Sequence, residues 1–353
     1  MSEYAITQVF PGDKRTLASV DDLLRREGIT RDANLDYISA MLDEEGEVIA
    51  TGSCFGNTLR CFAVSSDHQG EGLLNEIVSH LMEYQLGRGN SHLFLYTKVK
   101  AARFFESLGF YEIARVEGTL VFMENRRNGF PNYLKALEKT ARPGTSAAIV
   151  MNANPFTLGH RYLVETAGKQ CDTLHLFVLS EDASLVPFAV RKELVRQGTA
   201  DLPNVVLHDS GPYIISNATF PSYFLKDEAA VIQGHARLDL AVFVRIAKAL
   251  GVTTRFVGEE PNSQVTGIYN RIMAQALPEQ GIACRIIPRL EHGCKAISAS
   301  TVRAALKDGD WETLKTLVPE ATYAYFRSPE AKPVLEAIRK AENVVHYELK
   351  IRI

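Results

Sequence analysis

The stretch Ala147–Ala167, AAIVMNANPFTLGHRYLVETA, decides the fold. Ala147 to Met151 form a short apolar run of the kind that becomes a buried strand, and from Gly159 to Lys169 apolar residues recur at helical spacing. Asn152, Asn154, Pro155, Thr157, Gly159 and His160 crowd the corner between them. A strand that turns at once into a helix is the first unit of a parallel α/β sheet, and such sheets bind ligands beyond the carboxyl ends of their strands. The helix N-terminus there has unpaired N–H groups and partial positive charge, which favour phosphate. Pro155 sets a turn, and Gly159 lets backbone come close to a ligand. Thr157 and His160, three residues apart, share one side of the first helical turn. Taken alone, Thr157 reads equally as an ordinary cap and His160 as a solvated first-turn residue.

The alternation continues downstream. Strand-like runs lie at Thr173–Leu179, Val205–His208, Thr253–Val257 and Cys284–Ile287, with helical patterns at Pro187–Thr199, Glu228–Leu250 and Thr266–Leu277. This order predicts βαβ units with right-handed crossovers. A second polar cluster, KAISASTVRAAL at Lys295–Leu306, precedes a helix expected over Thr301–Leu317. Taken alone, Ser298, Ser300 and Thr301 read as caps of that helix and Arg303 as a surface charge; together with the helix N-terminus, Ser300, Thr301 and Arg303 make a second phosphate cradle.

Upstream, the periodicity differs. A helix at Asp21–Glu27 is followed by strands around Ser39–Leu42, Val48–Phe55 and Thr58–Val64. Then come a helix at Leu73–Leu86, a strand at His92–Thr97, a helix at Ala101–Leu108 and strands around Phe110–Ala114 and Gly118–Met123. That is an α+β pattern with antiparallel pairing. Arg126–Ser146 reads as a connector, with a short helical pattern at Tyr133–Lys139 and a Pro143-Gly144 turn. The expected domains are 1–125, a connector 126–146, and 147–353.

The 353 residues fit two domains. A hydrophobic fraction of 46% and a charged fraction of 23% are ordinary for a globular protein. A net charge of −3 gives no electrostatic case for nucleic acid or membrane partners. No apolar run spans a bilayer and no secretory pattern opens the chain, so a cytoplasmic location is expected. Cys54, Cys61, Cys171, Cys284 and Cys294 show no metal-ligand spacing and read as free thiols.

T-x-G-H followed by I-S-x-S-x-x-R resembles the nucleotidylyltransferase superfamily. The resemblance implies that Thr157 and His160 stabilise charge at the α-phosphate of ATP, and that Ser300, Thr301 and Arg303 bind the β,γ-phosphates. Asn154, Phe156, Gly159, Ser298 and Glu259 are the further expected ATP contacts. Many relatives carry Asp where this chain has Asn154, and Gly where it has Met151. The longer strings AAIVMNANPFTLGHRYLVE, VGEEPNSQVTGIYNRIM (257–273) and KAISASTVR closely resemble the citrate (pro-3S)-lyase ligase family over nearly the whole chain. That resemblance implies activation of acetate with ATP and acetylation of the thiol prosthetic group on the citrate lyase acyl carrier subunit. Mg²⁺ would be held mainly by the ATP phosphates, since the sequence offers no metal-ligand cluster.

VSSDHQGEGLLNEIV at Val64–Val78 resembles the acyl-CoA-binding turn of the GNAT acetyltransferases, and AARFFESLGFYEIAR at 101–115 a late helix-strand unit of that fold. The implied site for a CoA-like thiol arm is Gln69, Gly70 and Gly72. Glu259 and Glu260 read equally as ligands of Mg²⁺ or ribose and as solvated loop acids. Asp239 reads first as a structural hydrogen-bond partner and second as a nucleotide contact, and Lys295 as a phosphate neighbour or a surface lysine. The competing functions are an adenylyltransferase joining AMP to a phosphate acceptor, an acetyl-CoA-dependent acetyltransferase, and a carrier-docking module.

Overall fold

The structure, a computed structural model, describes residues 4–32, 34–182, 184–214, 220, 228–259, 264–293 and 295–344. The chain divides into two compact units, one built mainly on the residues up to Asn132 and the other mainly from Tyr133 onward.

The first unit carries β1 (Ile6–Gln8), α1 (Lys14–Arg26), β2 (Tyr37–Leu42), β3 (Val48–Phe55), β4 (Thr58–Val64) and α2 (Leu73–Gly87). It continues with β5 (Phe94–Lys98), α3 (Val99–Ser107), β6 (Tyr111–Val116) and β7 (Leu120–Glu124). Its strands form one sheet in the order β1-β2-β3-β4-β5-β7-β6. Neighbours are antiparallel except β4 and β5, which run parallel and pair only at Thr58↔Phe94 and Leu59↔Leu95. Ile77, Val78 and Leu81 of α2 and Phe105 of α3 bury against one face of the sheet. Val20, Leu23 and Leu24 of α1 bury against the other. The α1 helix starts earlier than the apolar pattern suggests because Asp13 caps it, accepting the Thr16 N–H at 3.1 Å. The helix α4 (Gly129–Glu138) follows, and the N–H of its second residue, Phe130, donates to buried Glu124 at 2.6 Å.

The second unit contains β8 (Ser146–Met151), α5 (Leu158–Gly168), β9 (Thr173–Val178), α6 (Phe188–Gly198), β10 (Val205–Asp209) and, from His235 on, α7 (Glu228–Leu250). Then come β11 (Val252–Gly258), α8 (Gln264–Glu279), β12 (Ala283–Ile287), the short pair β13 (Glu291–His292) and β14 (Lys295–Ala296), and α9 (Ala299–Asp308). The last elements are α10 (Trp311–Leu317), α11 (Glu320–Arg327) and α12 (Lys332–Lys340). The main sheet runs β10-β9-β8-β11-β12 with every pair parallel, so the expected α/β class holds. The strand order reverses between β8 and β11, which makes the carboxyl end of β8 the topological switch point.

Ile149, Met151, Leu176, Val178 and Phe256 face α5 and α6 in an apolar core. Elsewhere in this sheet His175 Nδ1 lies 2.9 Å from His208 Nε2, and Arg255 stacks over Phe243 at 4.2 Å. A further core joins α9 to α12 with Val186 and Ile297. The single helix expected over Thr301–Leu317 is two: Gly309 turns left-handed at φ 73° and Asp310 caps α10. No described helix is long and apolar enough to cross a membrane. Cys54 and Cys61 are buried free thiols, each pushed up to about 12 by burial, while Cys171 and Cys284 are partly exposed. Cys294 lies outside the described residues.

Candidate active site

The corner after β8 is built by unusual backbone. Ala153 takes φ 51° and the Asn154–Pro155 peptide is cis. Thr157 then caps α5 in a reciprocal arrangement. Its Oγ1 accepts the His160 N–H at 3.2 Å, and its own N–H donates to His160 Nδ1 at 3.1 Å. A backbone N–H can only donate, so Nδ1 presents its lone pair and the neutral ring carries its proton on Nε2. Burial pushes the His160 imidazole down to about 4, helped by the nearby charges of Arg289 and Arg303. His160 is therefore a neutral ring with an Nε2–H donor, fixed at the N-terminus of α5.

The second motif lies against this corner. Ser298 caps α9 with the same reciprocity, accepting the Thr301 N–H at 3.1 Å while Thr301 Oγ1 accepts the Ser298 N–H at 3.1 Å. A Cβ placed on Gly159 would stand 2.8 Å from the Ile297 carbonyl oxygen. The glycine is thus needed for the approach of the two motifs, where the sequence pointed to approach of a ligand. Two helix N-termini converge here, and both favour anions. Ser300 is partly exposed at the start of α9, and Thr301 is exposed.

Four expected phosphate contacts are buried: Thr157, 1% exposed with its Oγ1 held in the cap, and three more. Phe156 is 0% exposed, packs in the sheet core and stacks on His160 with centroids 5.9 Å apart. Its ring fills the space beside Gly198, where a Cβ would meet it at 2.5 Å. Phe156 thus supports His160 from the core. Asn154 is 1% exposed, and its Oδ1 accepts the Val186 N–H at 3.0 Å. Arg303 is 2% exposed, with Nη1 donating to the Asn154 carbonyl at 2.6 Å and Nε to the Val344 carbonyl at 2.7 Å. Its guanidinium ties α9 to the first motif. Glu259 is exposed, and its carbonyl accepts from Arg289 Nε at 2.7 Å. Asp239 is buried beside Arg255 at 3.6 Å, a structural pairing. Glu260 and the side chain of Lys295 lie outside the described residues.

Other residues at the corner carry no local sequence signal. Arg191, fully buried, donates to the carbonyls of Val186 at 2.9 Å, Asn152 at 2.8 Å and Leu179 at 2.9 Å. Thr322 of α11 donates to the Phe156 carbonyl at 3.0 Å. These contacts satisfy the carbonyls of a loop that would otherwise be buried unpaired. Among the described residues no group of three or more His, Cys, Asp or Glu side chains can hold a metal.

In the first unit, Gln69, Gly70 and Gly72 form an exposed turn that opens α2. Gly70 has φ 95° and Gly72, the cap residue, φ 82°, both in the left-handed region where a side chain is strained. A Cβ at either position would meet no atom within 4 Å, so the requirement for glycine is conformational.

A family profile described as the citrate lyase ligase C-terminal domain matches residues 146–326, and one described as the acetyltransferase (GNAT) family matches residues 5–110. A citrate (pro-3S)-lyase ligase of Escherichia coli is 38% identical over 330 residues, covering 91% of this chain and 93% of that one. Its counterpart in Klebsiella pneumoniae is 39% identical over 319 residues, covering 89% and 93%. Identity at this level along both units, with both motifs in contact at the sheet's switch point, settles the relationship: the chain belongs to the citrate lyase ligase family.

Proposed function

We propose that this enzyme is an ATP-dependent, AMP-forming ligase that activates acetate as acetyl-AMP. It then acetylates the thiol prosthetic group of the citrate lyase acyl carrier subunit. The observation that carries the reading is the convergence of two helix N-termini at Gly159 and Ile297, beside a neutral imidazole whose Nε2–H is free of the capping pair. The names of the relatives support the choice of citrate lyase as target.

Acetate is ionised at neutral pH, so the first step needs no general base. A carboxylate oxygen attacks the α-phosphorus of ATP, the bond from that phosphorus to the β-phosphate bridging oxygen breaks, and pyrophosphate leaves. The protein's work is positioning and stabilisation of spreading negative charge. The His160 Nε2–H and the first-turn amides of α5 serve the α-phosphate. Ser300, Thr301 and the first-turn amides of α9 serve the β,γ-phosphates. Mg²⁺, held mainly by the ATP phosphates, would supply charge neutralisation there. In the second step the carrier thiolate attacks the acetyl carbonyl and AMP leaves. The Gln69–Gly72 turn, opening a helix with two left-handed glycines, is the proposed dock for the CoA-like arm of that carrier. Residues 1–125 and 147–353 are the corresponding functional domains.

The test is transfer of labelled acetate to deacetylated citrate lyase. Label should appear on the acyl carrier subunit only when ATP is present, with AMP and pyrophosphate formed in equal amounts. Transfer from acetyl-CoA without ATP would sink the reading.

A further inference from the structure

We infer that Thr322 is a positioning residue of this site: its hydroxyl fixes the peptide between Phe156 and Thr157, whose N–H holds the His160 ring with its proton on Nε2. The inference rests on the adenylation reading above and deepens it.

Thr322 is fully buried on α11, on the same helix face as Phe326, which packs in the core that joins α9 to α12. A threonine inside a helix commonly returns its hydroxyl to a carbonyl three or four residues back. Thr322 instead donates to the carbonyl of Phe156, 166 residues away, at 3.0 Å. That carbonyl and the N–H of Thr157 belong to one rigid peptide plane, so holding the first aims the second. The Thr157 N–H donates to His160 Nδ1 at 3.1 Å.

The hydroxyl of Thr157 also lies 3.0 Å from His160 Nδ1, but it does not choose between the two neutral ring forms. A hydroxyl donates to a bare nitrogen and accepts from a protonated one, whereas a backbone N–H only donates. The peptide is therefore the group that sets the tautomer. With its proton on Nε2 the ring offers a donor to a phosphate oxygen. The other tautomer would turn a lone pair toward that oxygen and repel it. Phe156 supplies a second constraint, since its ring lies at 13° to the imidazole. One residue thus fixes the plane of the imidazole through its ring and the place of the proton through its peptide. Thr322 locks that peptide from a helix far along the chain.

The test is NMR of the histidine ring nitrogens in the full-length chain, read beside acetyl-AMP formation, with the His160 signals assigned by their loss in His160→Gln. Wild type should show a bare Nδ1 and a protonated Nε2. Thr322→Val keeps the shape of the side chain and removes the hydroxyl. It should populate the Nδ1–H tautomer and lower kcat roughly tenfold, the factor that one lost hydrogen bond represents, with KM for ATP little changed. Thr322→Ser keeps the hydroxyl and should retain the wild-type tautomer and most of the activity. If Thr322→Val does not fold, Thr322→Ser against Thr322→Ala isolates the hydroxyl instead. A wild-type ring protonated on Nδ1 overturns the inference, as does an unchanged tautomer in the variant without the hydroxyl. Equal losses in Thr322→Ser and Thr322→Val would mark packing alone and overturn it too. The tautomer is read without substrate, so a wild type that makes no acetyl-AMP would refute acetate activation while the NMR still decides Thr322.

Discussion

Replacing Gly159 with Ala sets two effects of opposite sign against each other. Gly159 lies in the first turn of α5 and has no positive φ, so Ala fits its backbone. Helix propensity alone would then stabilise the variant by up to about 1 kcal/mol. The new Cβ, however, would stand 2.8 Å from the Ile297 carbonyl oxygen and 3.4 Å from Thr157 Oγ1. Carbon–oxygen contacts settle at roughly 3.3–3.6 Å, so the α9 loop must retreat by about half an ångström. Backbone gives way less readily than a side-chain tip, and overpacking of this kind costs about 1–3 kcal/mol. The net expectation is a loss of about 1–2 kcal/mol. Displacing the second helix N-terminus from the first by that distance should also slow adenylation about tenfold. Denaturant midpoints and acetate-dependent formation of acetyl-AMP, measured on the same preparation, report both. A variant as stable as wild type and fully active would show that the two motifs are not in contact.

Further variants at three residues probe the corner. Phe156→Ala should destabilise by about 3–5 kcal/mol, because it empties a fully buried ring from the core; Phe156→Leu, which refills most of that space, should leave the KM for ATP within about threefold of wild type, and a large rise would mean the ring touches nucleotide after all. Arg303→Met leaves the Asn154 and Val344 carbonyls short of donors and should cost about 2–4 kcal/mol by urea unfolding; a neutral result would show that this tether carries no load. His160 should titrate by NMR near 4, against 6.5 for an unperturbed ring. Since the unfolded chain protonates first, its contribution to stability is complete above about pH 6.5 and is lost as the pH falls toward 4. That is about 3 kcal/mol at one pKa unit per 1.36 kcal/mol. His160→Gln should flatten this part of the curve and abolish most acetyl-AMP formation, and retention of both would remove the ring from the mechanism.

Elements with clear alternation and strong turn punctuation were legible to the residue, such as Val48–Phe55 and Thr58–Val64. Ile6–Gln8 is too short to show a period, and it becomes a strand only by pairing with Tyr37–Leu42. The break at Gly309 was hidden because apolar spacing runs on across it into Leu314 and Leu317. At the site, T-x-G-H and I-S-x-S-x-x-R could be read from local spacing. What could not be read is which of their side chains face inward. Asn154 is covered by Val186, Phe156 is met by Gly198 and Arg303 is covered by Val344, partners far away in the chain. Arg191 and Arg289 belong to no spacing motif, and only the folded sheet brings them to the strand ends.

Whether this corner adenylates acetate is read from exchange of labelled pyrophosphate into ATP, using purified chain, Mg²⁺ and no carrier. Exchange should require acetate, disappear in His160→Ala and need no thiol. Exchange that proceeds equally without acetate, or none at all from a chain that binds ATP, would contradict acetate activation.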